Sequence, residues 1–453
     1  MFENIIEQGA VSQLHDDILS GCSAPSMLFY GPSGSGKGSA ALELARVFSC
    51  EGEGCLTSEG GGSWKCSCPS CGRHRYLLHD DLLLLGKRSF SAEIAAYCSV
   101  FLRSPANKNT KLLFYRSLRK LQLRFSPVLM EDDPKFGKIA SLLQSFDERL
   151  SDFLSLSEDT EDKTALEKLC GLLVKDALAL ETDGMSANIP IGHIRRAAYW
   201  CRLSPNGRRK TLIIENAENM RDEARNSLLK LLEEPPVSLS IVLTSQRREV
   251  IIPTILSRLR PYRFLKRSVE GEKDVLRRVF QHTHDEESPK TGNSLITSYL
   301  DSFLPANKEK LYPLAAWFVV SLARITALKM KKKEISLPPF LTGIGDCYAS
   351  IAETAGFERS VKSSEIIKTL LVKSSNFEDD SFSRFLKLCL DLIAETAKKA
   401  EDHQYISYYD IFKKSIGEAA AAVDVLNQSP ALALEALFYN LKKAMLNKEK
   451  VWR

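Results

Sequence analysis

The sequence predicts an α/β base, a parallel sheet flanked by helices, followed by segments that are helical throughout. Three observations carry that reading. The apolar run Met27-Leu-Phe-Tyr30 passes through the glycine-rich Gly31-Pro-Ser-Gly-Ser-Gly-Lys37 into an apolar-periodic stretch, Ala40 to Val47, which is the order strand, turn, helix. Far downstream, Lys210-Thr-Leu-Ile-Ile214 is a β-branched apolar run of the kind buried in parallel sheets, and it ends at Glu215. From Leu265 onward the apolar residues recur with helical spacing. A chain of 453 residues suggests about three domains. With 44% hydrophobic and 26% charged residues it has the composition of an ordinary soluble globular protein.

The glycine-rich stretch has the form of a phosphate-binding P-loop. Its glycines let backbone N–H groups converge on a phosphate, and the helix that follows adds the partial positive charge of its N-terminus. Candidate ligands of ATP are therefore Gly31, Ser33, Gly34, Ser35, Gly36, Lys37, Gly38 and Ser39, with Lys37 reaching the β- and γ-phosphates. One position departs from the pattern. Gly38 stands where a Ser or Thr hydroxyl should hold Mg2+, and the hydroxyl comes one residue later, at Ser39. One residue rotates a side chain by about 100° around a helix, so Ser39 is expected to point away from the metal.

The carboxylate side of the site departs in the same sense. A P-loop ATPase places a Mg2+-holding Asp and then a water-polarising Glu at the end of such a strand. Here Glu215 keeps a carboxylate, one methylene longer, while Asn216 is a neutral amide that cannot accept a proton. Next, Arg225-Asn-Ser-Leu-Leu-Lys-Leu-Leu-Glu-Glu-Pro-Pro236 reads as an amphipathic helix, and Pro235 drives Glu234 out of the α region. Ser240-Ile-Val-Leu-Thr-Ser245 is another buried strand. Arg258, after Pro253-Thr-Ile-Leu-Ser257, is placed to reach a neighbouring subunit's γ-phosphate as an arginine finger.

Five of the eleven cysteines fall between Cys50 and Cys71, and Cys68 and Cys71 form a CxxC knuckle. Such a turn presents two thiolates to one tetrahedral Zn2+. The expected set is Cys50, Cys66, Cys68 and Cys71, with Cys50 and Cys55 plus the CxxC as an open alternative. No catalytic partner stands nearby, so the zinc would be structural. The net charge of +5 permits a nucleic-acid surface without demanding one. The N-terminus carries Glu3 and Glu7 and no long apolar stretch, and the apolar run Leu314 to Ala323, bounded by Pro313 and Arg324, is too short to span a bilayer. A cytoplasmic chain with free or metal-bound thiols, making no membrane contact, is expected.

Taken in order, the opening Phe2-Glu-Asn-Ile-Ile-Glu-Gln8, the P-loop, the cysteine module, Asn226-Ser-Leu-Leu-Lys-Leu-Leu-Glu-Glu-Pro-Pro236 and Thr254-Ile-Leu-Ser-Arg258 resemble the clamp-loader branch of the AAA+ family, the bacterial DNA polymerase III delta-prime and gamma/tau subunits. The resemblance covers about residues 1–87 and 188–265. It implies an AAA+ base over 1–265 with a zinc module at about 50–71, a helical lid over 266–335 and a helical collar over 340–453. The family does not account for an insertion of about residues 88–187, whose basic stretch Lys108 to Arg124 reads as a solvated face, with DNA contact as the sharper reading. Gamma/tau motors carry an intact hydroxyl after the lysine, an Asp-Glu pair and a lid sensor motif, which this chain lacks. The resemblance therefore implies a delta-prime-like stator that donates Arg258 to a neighbouring motor. Its partners would be the gamma/tau and delta subunits, the sliding clamp and, through the complex, primed DNA. An ATP-hydrolysing gamma/tau motor is the alternative within the family, and a zinc-bearing DNA-binding module with a vestigial P-loop is the alternative outside it. In place of the family's usual cysteine stands Lys65, with Cys66 one residue late, and Leu259 replaces a cysteine after Arg258.

Overall fold

The computed structural model describes residues 1–52, 62–156, 162–186, 188–282, 294–303, 305–332, 334, 339–357, 362–374, 379–399, 405–424 and 428–447. Cys55 lies outside them, as does part of the glycine-rich loop before Trp64. The chain divides into two compact units, Met1–Phe303 and Leu304–Arg453.

The first unit opens with α1 (Gly9–Leu19), β1 (Ser26–Tyr30), α2 (Lys37–Phe48), α3 (Pro69–Arg75) and β2 (Leu82–Gly86). Five helices of the expected insertion follow: α4 (Ser91–Arg103), α5 (Lys108–Gln122), α6 (Pro127–Met130), α7 (Phe136–Ser155) and α8 (Lys163–Ala179). The base resumes with α9 (Ile191–Arg202), β3 (Lys210–Glu215), α10 (Asp222–Glu233), β4 (Leu239–Ser245), α11 (Pro253–Leu256) and β5 (Arg260–Arg263). Helices α12 (Val269–Phe280) and α13 (Leu295–Asp301) complete the unit.

The five strands form one parallel sheet in the order β2-β3-β4-β1-β5. Side chains alternate across it, as a period of two requires. Met27, Phe29, Ile213, Val242 and Tyr262 pack with residues of α1 and α2, whereas Leu28, Leu212, Ile214, Ile241 and Leu243 pack with residues of α9 and α10. Burial on both faces explains why β1, β3 and β4 read as unbroken apolar runs. The register sets Tyr30 opposite Ser245 and Arg263, and Gly86 opposite Glu215, so the P-loop, Glu215 and the segment after β2 gather at one edge of the sheet. That carboxyl edge is where open α/β sheets bind ligands.

The insertion has a core of its own, drawn from α4, α5, α7 and α8. Phe153 stands edge-on to Phe101 and to Phe114, with ring centroids 5.1 and 5.2 Å away. Leu276 and Phe280 of α12 and Leu295 and Ile296 of α13 pack against Ala96 and Val100 of α4. Of the segment expected as a lid, α12 and α13 therefore lie in the first unit.

The remainder of that segment is α14 (Pro305–Lys332), which belongs to the second unit with α15 (Pro339–Thr354), α16 (Ser363–Ser374), α17 (Asp379–Lys399), α18 (Tyr405–Asp424) and α19 (Pro430–Asn447). Pro313 does not bound the apolar run, since α14 continues through it. Within α14, Leu311–Lys332 is long and apolar enough to cross a membrane, but 72% of its most apolar window is buried. Trp317, Phe318 and Val319 pack with Phe385, Phe438 and Leu441, so the apolarity serves a helical core.

If the insertion carries an independent core, Phe153→Ala should cost about 3–5 kcal/mol in its stability. Denaturant unfolding followed by hydrogen exchange would show the loss in α4–α8 first, and uniform weakening of the β-sheet would contradict it.

Candidate functional site

The P-loop forms as its glycines dictate. Gly36 precedes α2 at φ +93°, a left-handed conformation that a side chain disfavours. Pro32, Ser33 and Gly34 are exposed at the rim, Ser35 is buried, and Ser39 is exposed. Lys37 is folded back: its Nζ donates to the carbonyls of Gly31 at 2.6 Å and Pro32 at 2.7 Å, and to Ser35 Oγ at 3.4 Å. Burial pushes its ammonium down to about 8, partly offset by Glu218 and Glu215. Arg267 covers the loop from the other side, donating to Gly34 O and, at 3.0 Å, to Ile6 O.

At the end of β3, Glu215 is only 6% exposed and is fully engaged. Arg88, just after β2, donates to Glu215 Oε1 at 3.3 Å, and Arg124 of the insertion donates to Glu215 Oε2. Arg88 also pairs with Glu93, whose other oxygen accepts from Lys120 Nζ at 2.6 Å. Burial alone would raise the Glu215 carboxyl, but Arg88, Arg124 and Lys120 outweigh it and hold the group below its ordinary value. Burial drives Lys120 well below the usual lysine value, and Arg88 and Arg116 push it the same way.

This cluster decides whether Mg2+ fits. A Cβ placed on Gly38 would lie 2.6 Å from Glu215 Oε1 and 3.7 Å from Arg88 Nη1. The position that a metal-holding hydroxyl would occupy is thus already filled by a carboxylate and a guanidinium. With no hydroxyl at Gly38 and both oxygens of Glu215 committed to arginines, the residues present do not fit the ion. Asn216 has a backbone reason for its identity. It sits at φ +52°, ψ +57°, which asparagine tolerates better than most side chains. Its amide donates to Lys87 O at 2.7 Å, while its N–H donates to Thr244 Oγ1 at 3.1 Å.

The structure gathers Cys50, Cys66, Cys68 and Cys71, whose sulfurs all lie within 4.8 Å of one another. Cys50 Sγ is 3.6 Å from Cys66 Sγ and 3.9 Å from Cys68 Sγ. Tetrahedral Zn–S bonds of about 2.3 Å require S···S edges of about 3.8 Å. The donor set and spacing therefore fit a zinc ion, which would be structural. Arg46 Nη1 donates to Cys71 Sγ at 3.0 Å, and the Cys71 N–H donates to Cys68 Sγ at 3.4 Å, the kind of outer contact that orients metal ligands. The Trp64 ring is faced by Arg46, Arg75 and Arg116, whose guanidinium carbons are 5.6, 5.6 and 5.8 Å from its centroid.

Arg258 is exposed, just beyond the end of α11. It donates to Glu233 Oε1 at 2.7 Å, to Thr254 O at 2.6 Å and to Ser257 Oγ at 3.1 Å. Glu233 belongs to the Leu-Glu-Glu-Pro-Pro element, so two separate sequence signals meet in one ion pair. The basic stretch 108–124 is neither a free solvated face nor an open basic surface. Arg116 donates to the carbonyls of His74 and Arg75, Arg119 to Leu77 O at 2.9 Å, Lys120 to Glu93 and Arg124 to Glu215. The residues of this cluster that sequence reasoning did not single out are Arg88, Lys120 and Arg124. Arg116, Lys120 and Arg124 recur every four residues beside the apolar Phe114, Leu118 and Leu121, and that spacing was the available signal.

Residues 147–268 match the family model described as DNA polymerase III, delta subunit. The match starts in α7 and ends after β5, so it includes Glu215 and Arg258 but not the P-loop. A stretch of 58 residues is 41% identical to an uncharacterized protein of Mycoplasma pneumoniae described as an MG007 homolog, covering 13% of this chain and 23% of that protein. The chain thus matches less than a quarter of that relative's length. A DNA polymerase III gamma subunit-related protein of Thermotoga maritima is 23% identical, with 57% of this chain and 81% of that one covered, at a TM-score of 0.26. A likeness that loose carries no argument.

Gly38→Thr, which restores the P-loop hydroxyl in sequence, should destabilise the chain by about 1–3 kcal/mol through overpacking against Glu215. Urea unfolding with and without Mg2+ tests this, and a Mg2+-dependent gain in stability would refute it. For the thiol cluster, mass spectrometry under native conditions should find one zinc ion per chain. Cys68→Ser should release it and lower the thermal midpoint, and an unchanged metal content would rule out this ligand set.

Proposed function

We propose that this chain is a stator-type, delta-prime-like subunit of a bacterial DNA polymerase III clamp loader. It keeps an AAA+-type base, does not turn over ATP, and offers Arg258 to the active site of a neighbouring gamma/tau motor. With delta and the motors it would help open the sliding clamp and place it on primed DNA. The observation that carries this reading is the engagement of Glu215. A carboxylate held by Arg88 and Arg124 and pressed against Gly38 cannot also hold the ion that phosphoryl transfer to water requires. The amide of Asn216, donating to Lys87 O, offers no base in its place.

Two further facts support it. The matched delta-subunit segment includes the Ser-Arg element. Arg258 is exposed, its ion pair with Glu233 is of low expected strength, and its other bonds, to Thr254 O and Ser257 Oγ, are made within its own turn, so the guanidinium stays accessible to a stronger anionic partner.

Reconstitution with candidate motor subunits tests the proposal. Arg258→Ala should lower steady-state ATP turnover at the neighbouring site by about 10³-fold or more, while size-exclusion chromatography shows assembly unchanged. A turnover rate indifferent to Arg258 would sink it.

A further inference from the structure

Arg124 has a side that Glu215 does not use. The residue is 4% exposed. Its Nη2 donates to Glu215, and its guanidinium carbon lies 5.4 Å from the centroid of the Phe90 ring. Nε and Nη1 have no hydrogen-bond partner among the described residues. Unmatched donors on a buried guanidinium are costly, and they call for an acceptor. Burial pulls the group down to about 10, with Glu215 opposing the shift only in part.

These donors border a cavity of about 30 Å3 that no P-loop residue lines. The insertion supplies Arg124, Phe125 and Met130 to its wall, and the base supplies Lys87, after β2, with Asn188 and His193 around the start of α9. Gly184 completes the wall by a close approach that suits glycine, since a Cβ there would lie 2.7 Å from Phe125 Cε1.

Charge decides what kind of acceptor the cavity suits. Lys87 and Arg124 are cations, and among the described residues no carboxylate lines the cavity. Asp133 is engaged by His193 Nε2 at 2.8 Å, and Glu215 by Arg88 and Arg124. Helix α9 is 12 residues long and no side chain caps its first turn, so its start adds partial positive charge. A water molecule would match a donor but would bring no charge to offset these cations. Volume limits the rest. A space of about 30 Å3 takes about two water-sized groups, which admits a halide and is too small for a nucleotide.

We propose that this cavity binds a small monovalent anion of the chloride class, accepted by Arg124 Nε and Nη1 in the field of Lys87 and the start of α9. The anion touches residues of the insertion and of the base together, so it acts as a removable brace between them. Because it binds the folded chain, it stabilises that chain by mass action. This goes beyond the clamp-loader reading and does not depend on it.

The test uses the full-length chain. Chloride replaces gluconate, an anion too large for the cavity, at constant ionic strength and pH while the thermal midpoint is followed. The midpoint should rise along a one-site saturation curve by about 2 °C or more. Crystals grown in bromide should show an anomalous peak in the cavity within hydrogen-bond reach of Arg124. Arg124→Lys keeps a cation for Glu215 but removes the unmatched guanidinium donors, and it should weaken the apparent chloride affinity about 10-fold or more. Lys87→Gln leaves Arg124 in place and should weaken it about 3- to 10-fold, and it decides the matter if Arg124→Lys does not fold. Ordered water alone in the cavity of the bromide crystals overturns the inference. So does a bromide peak without a saturable chloride effect in solution, which would mark an adventitious ion only. A chloride effect unchanged in the folded variants overturns it as well.

Discussion

The contact between Glu215 and the two arginines is the constraint around which the first unit is organised. A carboxylate at that depth is tolerated only if it is paired, and removing Glu215 would leave the buried Arg124 without its ion-pair partner. The three residues come from distant parts of the chain: the end of β3, the turn after β2, and the insertion. Closing the cluster therefore fixes the insertion against the sheet edge and fixes the P-loop helix at Gly38 in the same step. The energetic demand of one buried anion becomes a statement about topology.

Helix α5 extends that constraint toward the thiol cluster. Arg116 and Arg119 cap carbonyls at the C-terminal end of α3 and just beyond it, a favourable place for a cation at a helix end. Lys120, next to Arg119 on α5, serves Glu93, and Arg124, in the 3-10 turn that follows the helix, serves Glu215. Trp64 contributes a ring that Arg46 of α2, Arg75 of α3 and Arg116 of α5 all approach. Helix α5 and the turn after it thus tie the cysteine-bearing segment to the carboxylate of β3.

Much of this was legible in the chain itself. The strands β1, β3 and β4 announced themselves because burial on both faces demands continuous apolar residues, and the CxxC spacing brought the four thiols into view. Pro235 ended α10 where the steric rule places the break, with Glu234 at φ −129°. Other features carried no local signal. β2 is a run of leucines, residues with no strand preference, and β5 is four residues long and half exposed. The spacing of Arg116, Lys120 and Arg124 was visible, but the partners of Arg88 and Arg124 were not, because a cation's partner is set by tertiary proximity, here across separations of 127 and 91 residues. Read locally, Lys108 to Arg124 is only a charged helix. Asn216 was legible as a lost base but not as a left-handed residue, since the backbone angle depends on how β3 leaves the sheet.

Asn216 and Gly38 together also shape what sequence change can do to this molecule. A hydrolytic pocket would need a hydroxyl where Glu215 now crowds, a free carboxylate where two cations now bind, and a base on a backbone bend that suits an amide. None of these gains is reachable alone, because each intermediate either crowds the first turn of α2 or strands an ion in the interior. The cluster therefore couples positions 38, 215 and 216, so that a change at one of them has to be met by changes at its neighbours.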